Sequence, residues 1–128
     1  MIVCQVLFLR LFLNEYKLII IIFYTKLALN LTPLLSPRTQ KEGSFLQIHC
    51  GLQEGSPPLF FEWAINGQTV KSSPDVNYKI ENFEMYSTFT IRKIERRDAA
   101  NYSCIATDSV ASDRQTVVLN INGMNENN

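Results

Sequence analysis

Four residues constrain this chain more than any others: Cys50, Trp63, Tyr102 and Cys104. The two cysteines lie 54 positions apart, the only tryptophan follows the first by 13, and the tyrosine precedes the second by two. Each sits in a stretch that alternates with a period of two. Leu46, Ile48 and Cys50 alternate with Phe45, Gln47 and His49. Phe61 and Trp63 alternate with Phe60, Glu62 and Ala64, and Tyr102, Cys104 and Ala106 share one parity. That period sends successive side chains to opposite faces of a strand. All four residues therefore belong to the buried faces of β-strands.

The remainder of the chain reads the same way. Residues 29–35 form a short apolar run broken by Pro33, and proline is confined to edge strands or strand starts. This predicts a first strand on an edge, continued by residues 36–39 as an extended, kinked segment. Glu42-Gly43 is a turn signal, and residues 53–58 form a loop ahead of a strand over 59–65. Asn66-Gly67 suits a two-residue hairpin, whose central positions need positive φ, and residues 68–70 return as a short strand. Val76, Tyr78 and Ile80 alternate, with Glu81-Asn82 starting the next turn. Phe89 and Ile91 face inward on a strand over 88–91, and Ile94 closes the core below them. Residues 95–98 make a polar corner, residues 108–111 turn, and Val117, Leu119 and Ile121 face in on the last strand. Eight or nine short strands, with turn signals about every 8–12 residues, predict an all-β, two-sheet sandwich.

The 128 residues allow one domain with a sizeable core, over residues 29–122, with residues 123–128 as a polar tail or linker. The hydrophobic share of 46 % is concentrated before residue 36. Residues 1–28 read as a hydrophobic targeting segment, either an imperfect signal peptide or an anchor. Sequence foreign to the mature product is the remaining alternative. The apolar run over 18–24 behind Lys17 has the character of a signal core. No run reaches the roughly 18–20 residues a membrane span needs, and the small-x-small cleavage pattern is missing.

Formal charge is zero, and from Leu31 onward nine basic residues face eleven acidic ones. No overall field draws such a chain to nucleic acid or to an anionic membrane. The basic run Arg92-Lys93…Arg96-Arg97 is interrupted and reads as a solvated corner. His49 is the only histidine, on the outward parity and without ligand spacing to a second His, Cys or carboxylate. There is no glycine-rich phosphate loop, metal-ligand cluster or nucleophile–base pair, so the expectation is a non-enzymatic protein with no cofactor, no metal and no small-molecule substrate. Asp98 is expected to pin the polar corner, with Lys79 as a guessed partner. Two N-x-S/T sequons, at Asn30 and Asn101, are glycosylation candidates in the secretory pathway.

Taken together, the four residues have the spacing of an immunoglobulin sandwich. Leu46-x-Ile48-x-Cys50, Phe61-x-Trp63-x-x-Asn66-Gly67 and Asp98-x-Ala100-x-Tyr102-x-Cys104 resemble its I-set class. Gly55-Ser-Pro-Pro58 and Ser87-Thr-Phe-Thr-Ile91 are similar to domains of the Down syndrome cell adhesion molecule (Dscam) family, the arthropod members above all. The resemblance covers about residues 31–122. It implies a disulfide between Cys50 and Cys104, with Trp63 and Tyr102 as core pins, and leaves Cys4 over. A disulfide framework belongs to an oxidising compartment, hence a secreted or cell-surface domain. An intracellular muscle-type I-set domain is the disfavoured alternative.

Two departures stand out. Ala111 replaces the usual glycine of the last hairpin turn, which predicts a wider hairpin, and members of that family have many domains and a membrane anchor. The chain is expected to be a fragment, an incomplete product or a secreted single-domain relative.

The implied function is extracellular recognition in cell–cell adhesion. The partner is a protein, homophilically an identical domain, with membrane contact only through an N-terminal anchor or a missing C-terminal region. A structural spacer domain without its own ligand is the rival. The outward residues Phe60, Glu62 and Ala64 are the binding-face candidates, with Phe60 as an aromatic anchor.

Overall fold

The computed structural model describes residues 28–123. The segment expected to be a targeting segment falls outside these residues apart from Ala28, as do Cys4 and the residues beyond Gly123.

Nine strands make two sheets among the described residues. They are β1 (Asn30–Leu31), β2 (Arg38–Lys41), β3 (Leu46–Glu54), β4 (Phe60–Ile65), β5 (Gln68–Val70), β6 (Tyr78–Asn82), β7 (Tyr86–Ile91), β8 (Ala100–Thr107) and β9 (Ser112–Asn122). One sheet runs β1-β3-β7-β6, the other β2-β9-β8-β4-β5. Every pairing is antiparallel except β2 with β9, which is parallel.

The start of the chain departs from the single edge strand expected there. It splits into β1 on one sheet and β2 on the other. Pairing with β3 stops after the bond from Thr32 N–H to Gly51 O at 2.9 Å, because Pro33 has no N–H to continue it. Side chains of β9 and the segment's own serine then tether the crossing. Leu31 N–H donates to Asp113 Oδ2 at 2.8 Å, Leu34 N–H to Gln115 Oε1 at 3.1 Å, and Val118 N–H to Ser36 Oγ at 2.9 Å.

The inward parities meet in one core. Leu46, Ile48, Phe89, Ile91, Ile94, Val117 and Leu119 are each at most 1 % exposed. Phe89 is the hub: its ring lies 5.2 Å from Trp63, 5.2 Å from Tyr102 and 4.9 Å from Tyr78.

Turn chemistry shapes the rims. Asn66 (φ 50°) and Gly67 (φ 84°) close the β4–β5 hairpin, and Asn66 Oδ1 also accepts from Asn101 N–H at 2.9 Å. Glu81 and Asn82 continue β6 instead of starting the turn, which falls at residues 83–85 with Phe83 N–H donating to Tyr86 O at 2.8 Å. The β8–β9 turn is closed by an aspartate in place of a glycine. Asp108 Oδ1 accepts from Val110 and Ala111 N–H, each at 2.8 Å, and Asp108 N–H donates to Ala111 O at 2.9 Å. Among the described residues Asn66 alone of the non-glycines has positive φ, so Ala111 carries no left-handed strain.

Candidate recognition surface

The sequence-predicted site residues separate into a core group and a surface group. In the core, Cys50 and Cys104 are joined by a disulfide between facing sheets, Cα–Cα 6.4 Å. Trp63 lies beside Cys104 in the β4–β8 register and is 1 % exposed. Its indole N–H is not orphaned: Nε1 donates to Ser87 Oγ at 2.8 Å, and that hydroxyl lies 2.5 Å from Asn82 Oδ1.

At the corner, a 3-10 turn over Arg96–Asp98 buries Asp98. Its carboxylate accepts from Asn77 Nδ2 at 3.1 and 3.2 Å and from Glu95 N–H at 2.8 Å. Lys79 is not its partner. Tyr78 and Ile80 pack inward on β6, so Lys79 takes the outward parity and pairs with Glu81 at 3.3 Å. Tyr102 donates its hydroxyl to Asp98 O at 2.5 Å. Burial first, then the charge of Asp98 and the neighbouring Tyr78, pushes the Tyr102 phenol well above its ordinary value. Its neutral form is therefore favoured in the folded state. That stability is present in full below the ordinary tyrosine value of about 10 and is lost as pH rises above it, because the unfolded chain gives up the proton first. Alkaline titration followed by tryptophan fluorescence should show stability falling from about pH 10 upward. Tyr102→Phe should remove this residue's part of that slope and cost about 1–3 kcal/mol at neutral pH, since Asp98 O loses its buried donor.

On the surface, Phe60 is 63 % exposed and Glu62 is exposed, both on the outer face of the five-stranded sheet. Ala64 shares their parity but is only 3 % exposed, and it cannot present a binding contact. Its methyl lies between Thr69 on β5 and Ser103 on β8, its cross-strand partners, and Ser103 Oγ is itself bonded to Thr116 Oγ1 at 2.8 Å. Small side chains in the middle of a sheet are roofed by their neighbours whichever way they point. Asn30 and Asn101 are both exposed, and Asn30 Nδ2 donates to Glu54 Oε1 at 2.6 Å.

The structure adds a feature that parity did not reveal. β5 is three residues long and pairs only with Trp63–Ile65, so Phe60–Glu62 are paired on the β8 side alone. Beyond the end of β5 a cleft of about 290 Å³ opens between the two sheets. The apolar side chains Phe61, Trp63, Val70 and Ile80 line it. At its exposed margin stand Phe60, Glu62 and Lys71, and neither charge is in an ion pair among the described residues. The sequence signal was the early end of the alternating pattern at Lys71-Ser72-Ser73-Pro74. A second patch missed by parity lies on the other sheet, where Tyr86 stacks between His49 at 4.7 Å and Phe83 at 4.5 Å, and the His49 ring occupies the space beside Gly51 that a Cβ there would meet.

With this geometry in hand, comparison with known proteins is decisive. The family model of the immunoglobulin I-set domain matches residues 30–121. The chain belongs to the immunoglobulin I-set family. Among curated relatives it is 30 % identical over 97 residues to the cell adhesion molecule DSCAML1 of Homo sapiens, covering 71 % of this chain and 5 % of that protein. It is 30 % identical over 82 residues to palladin of Mus musculus, covering 64 % of this chain and 6 % of that protein. The I-set domain thus spans a small fraction of the curated relatives it matches. Of solved structures, the Dscam1 Ig7 domain superposes with a TM-score of 0.65 at 20 % identity, covering 73 % of this chain and 96 % of that one, which shows the shared fold.

Proposed function

We propose that this I-set domain is an extracellular recognition module that acts in cell–cell adhesion by binding an identical domain, with neither a catalytic role nor a cofactor. The observation that carries the reading is Phe60, an aromatic side chain 63 % exposed beside an unpaired acid and an apolar cleft. Exposed aromatics next to recesses are the anchors on which protein interfaces concentrate their energy. The Cys50–Cys104 disulfide supports an oxidising compartment, and the likeness to DSCAML1 supports an adhesive setting. Asn30 and Asn101 are proposed as glycan acceptors. Asn101 lies at the opposite end of β8 from Thr107, the residue paired with Phe60, so sugar there leaves the Phe60 end open.

The test is secretion of the chain from a eukaryotic host, with intact mass measured before and after glycosidase and reductant. Beads coated with the product are then scored for aggregation. A disulfide-bonded, glycosylated product whose beads aggregate is expected. A retained and reduced product, or beads that stay dispersed, would overturn the reading. The rival reading, a spacer in a longer rod, has in its favour that the domain spans 5 % of DSCAML1. It requires that charge substitutions at every outward position leave binding untouched.

A further inference from the structure

We propose that the cleft beyond β5 is the seat of self-recognition: Phe60 of one copy enters the cleft of a second copy and receives that copy's Phe60 in return. The inference rests on the homophilic reading above and assigns it a site. The argument is self-complementarity. A closed two-fold dimer uses the same patch on both subunits, so a patch that can form one must contain both halves of every contact. This patch does. It holds an aromatic knob, Phe60, and an apolar recess built on Phe61, Val70 and Ile80. It also holds one acid and one base, Glu62 and Lys71, each outside the ion pairs of the described residues.

Size permits the exchange. An apolar cavity of about 150 Å³ accepts a benzene ring, and the cleft here is about 290 Å³. Chain geometry explains why the recess stays open within one copy. The β4–β5 ladder ends at the Trp63–Val70 pair, so no strand covers Phe60–Glu62 on that side. Two-fold pairing also determines the electrostatics. With the axis passing between Glu62 and Lys71, each copy sets its Glu62 against the other copy's Lys71, and both charges are neutralised in one step. Ala64 next in line is small and buried, so it leaves the approach unobstructed.

The deciding experiment is sedimentation equilibrium of the secreted, disulfide-bonded chain and its variants. Thermal unfolding checks that each is folded, as substitution of these exposed side chains should leave it. Phe60→Ala should weaken self-association about thirtyfold, the loss expected of an anchor residue. Glu62→Lys and Lys71→Glu should each weaken it about tenfold, because each brings like charges together across the axis. An equimolar mixture of the two reversal variants should restore association near the wild-type level. In the mixed dimer the two introduced charges are opposite and face each other, and the retained Lys71 of one copy faces the retained Glu62 of the other. Wild-type association that ignores all three substitutions, or reversals that the mixture does not rescue, overturns the cleft as the contact while leaving homophilic binding in place. A wild-type chain that stays monomeric at high micromolar concentration overturns the homophilic reading itself, and this site with it.

Discussion

Removing the Cys50–Cys104 disulfide, by Cys50→Ala with Cys104→Ala, should destabilise the domain by roughly 4 kcal/mol. The bond ties together residues 54 positions apart, and its main effect on the chain-entropy account is to restrict the unfolded state. Both sulfurs are fully buried between the sheets, so the double alanine variant also leaves unfilled space in the core. A domain of this size has about 5–15 kcal/mol in total. The loss therefore takes a large share of the whole, and the urea midpoint should fall accordingly. The matched control is reduction of the wild-type protein, which removes the cross-link and keeps both sulfurs. A midpoint unchanged by either treatment would contradict the placement of this bond at the centre of the fold.

Trp63→Ala should cost a comparable amount, about 3–5 kcal/mol, through cavity formation. Two losses combine at that position. The indole is 1 % exposed and packs on Phe89 with ring centroids 5.2 Å apart. Its Nε1–H satisfies Ser87 Oγ, a hydroxyl with no solvent exposure. Its backbone pairing, with Cys104 on one side and Val70 on the other, is kept in the alanine variant. Trp63→Phe separates these effects: it keeps an aromatic ring and loses the donor, and should cost less than the alanine variant. Because Trp63 and Cys104 are register partners, the tryptophan and disulfide losses should not add independently. Denaturant unfolding of the single and combined variants measures the difference.

Much of the fold was legible because the strand period is two and the buried faces are apolar. The inward sets on β3, β7, β8 and β9 could be read off directly, as could the Asn66-Gly67 turn, which meets a backbone requirement that few residue pairs satisfy. The misreadings have a common cause. Parity says which face a side chain leaves from, but not what stands beside it. Ala64 has the outward parity, yet Thr69 and Ser103 stand beside it and bury it. Lys79 is a plausible partner for Asp98 along the chain, but Glu81 stands beside it and takes its charge, while Asn77, just ahead of β6, reaches the Asp98 carboxylate instead. The substituted glycine of the last turn implied a strained or widened hairpin, but the Asp108 side chain supplies the hydrogen bonds instead.

The sequence alone therefore determined the fold class, the two cysteines, the tryptophan and tyrosine of the core, and the exposure of Phe60. These depend on local properties: periodicity, spacing, side-chain size and turn chemistry. Tertiary structure alone decided the split of the first strand between sheets, the bonding of Asp98 and the burial of Ala64. It also decided the cleft beside Phe60, since a recess is a gap between elements. Its walls come from β4, β5 and β6, and its opening depends on where the short β5 stops covering β4. No single stretch of sequence contains that distance, because it is set by how the two sheets pack across the core.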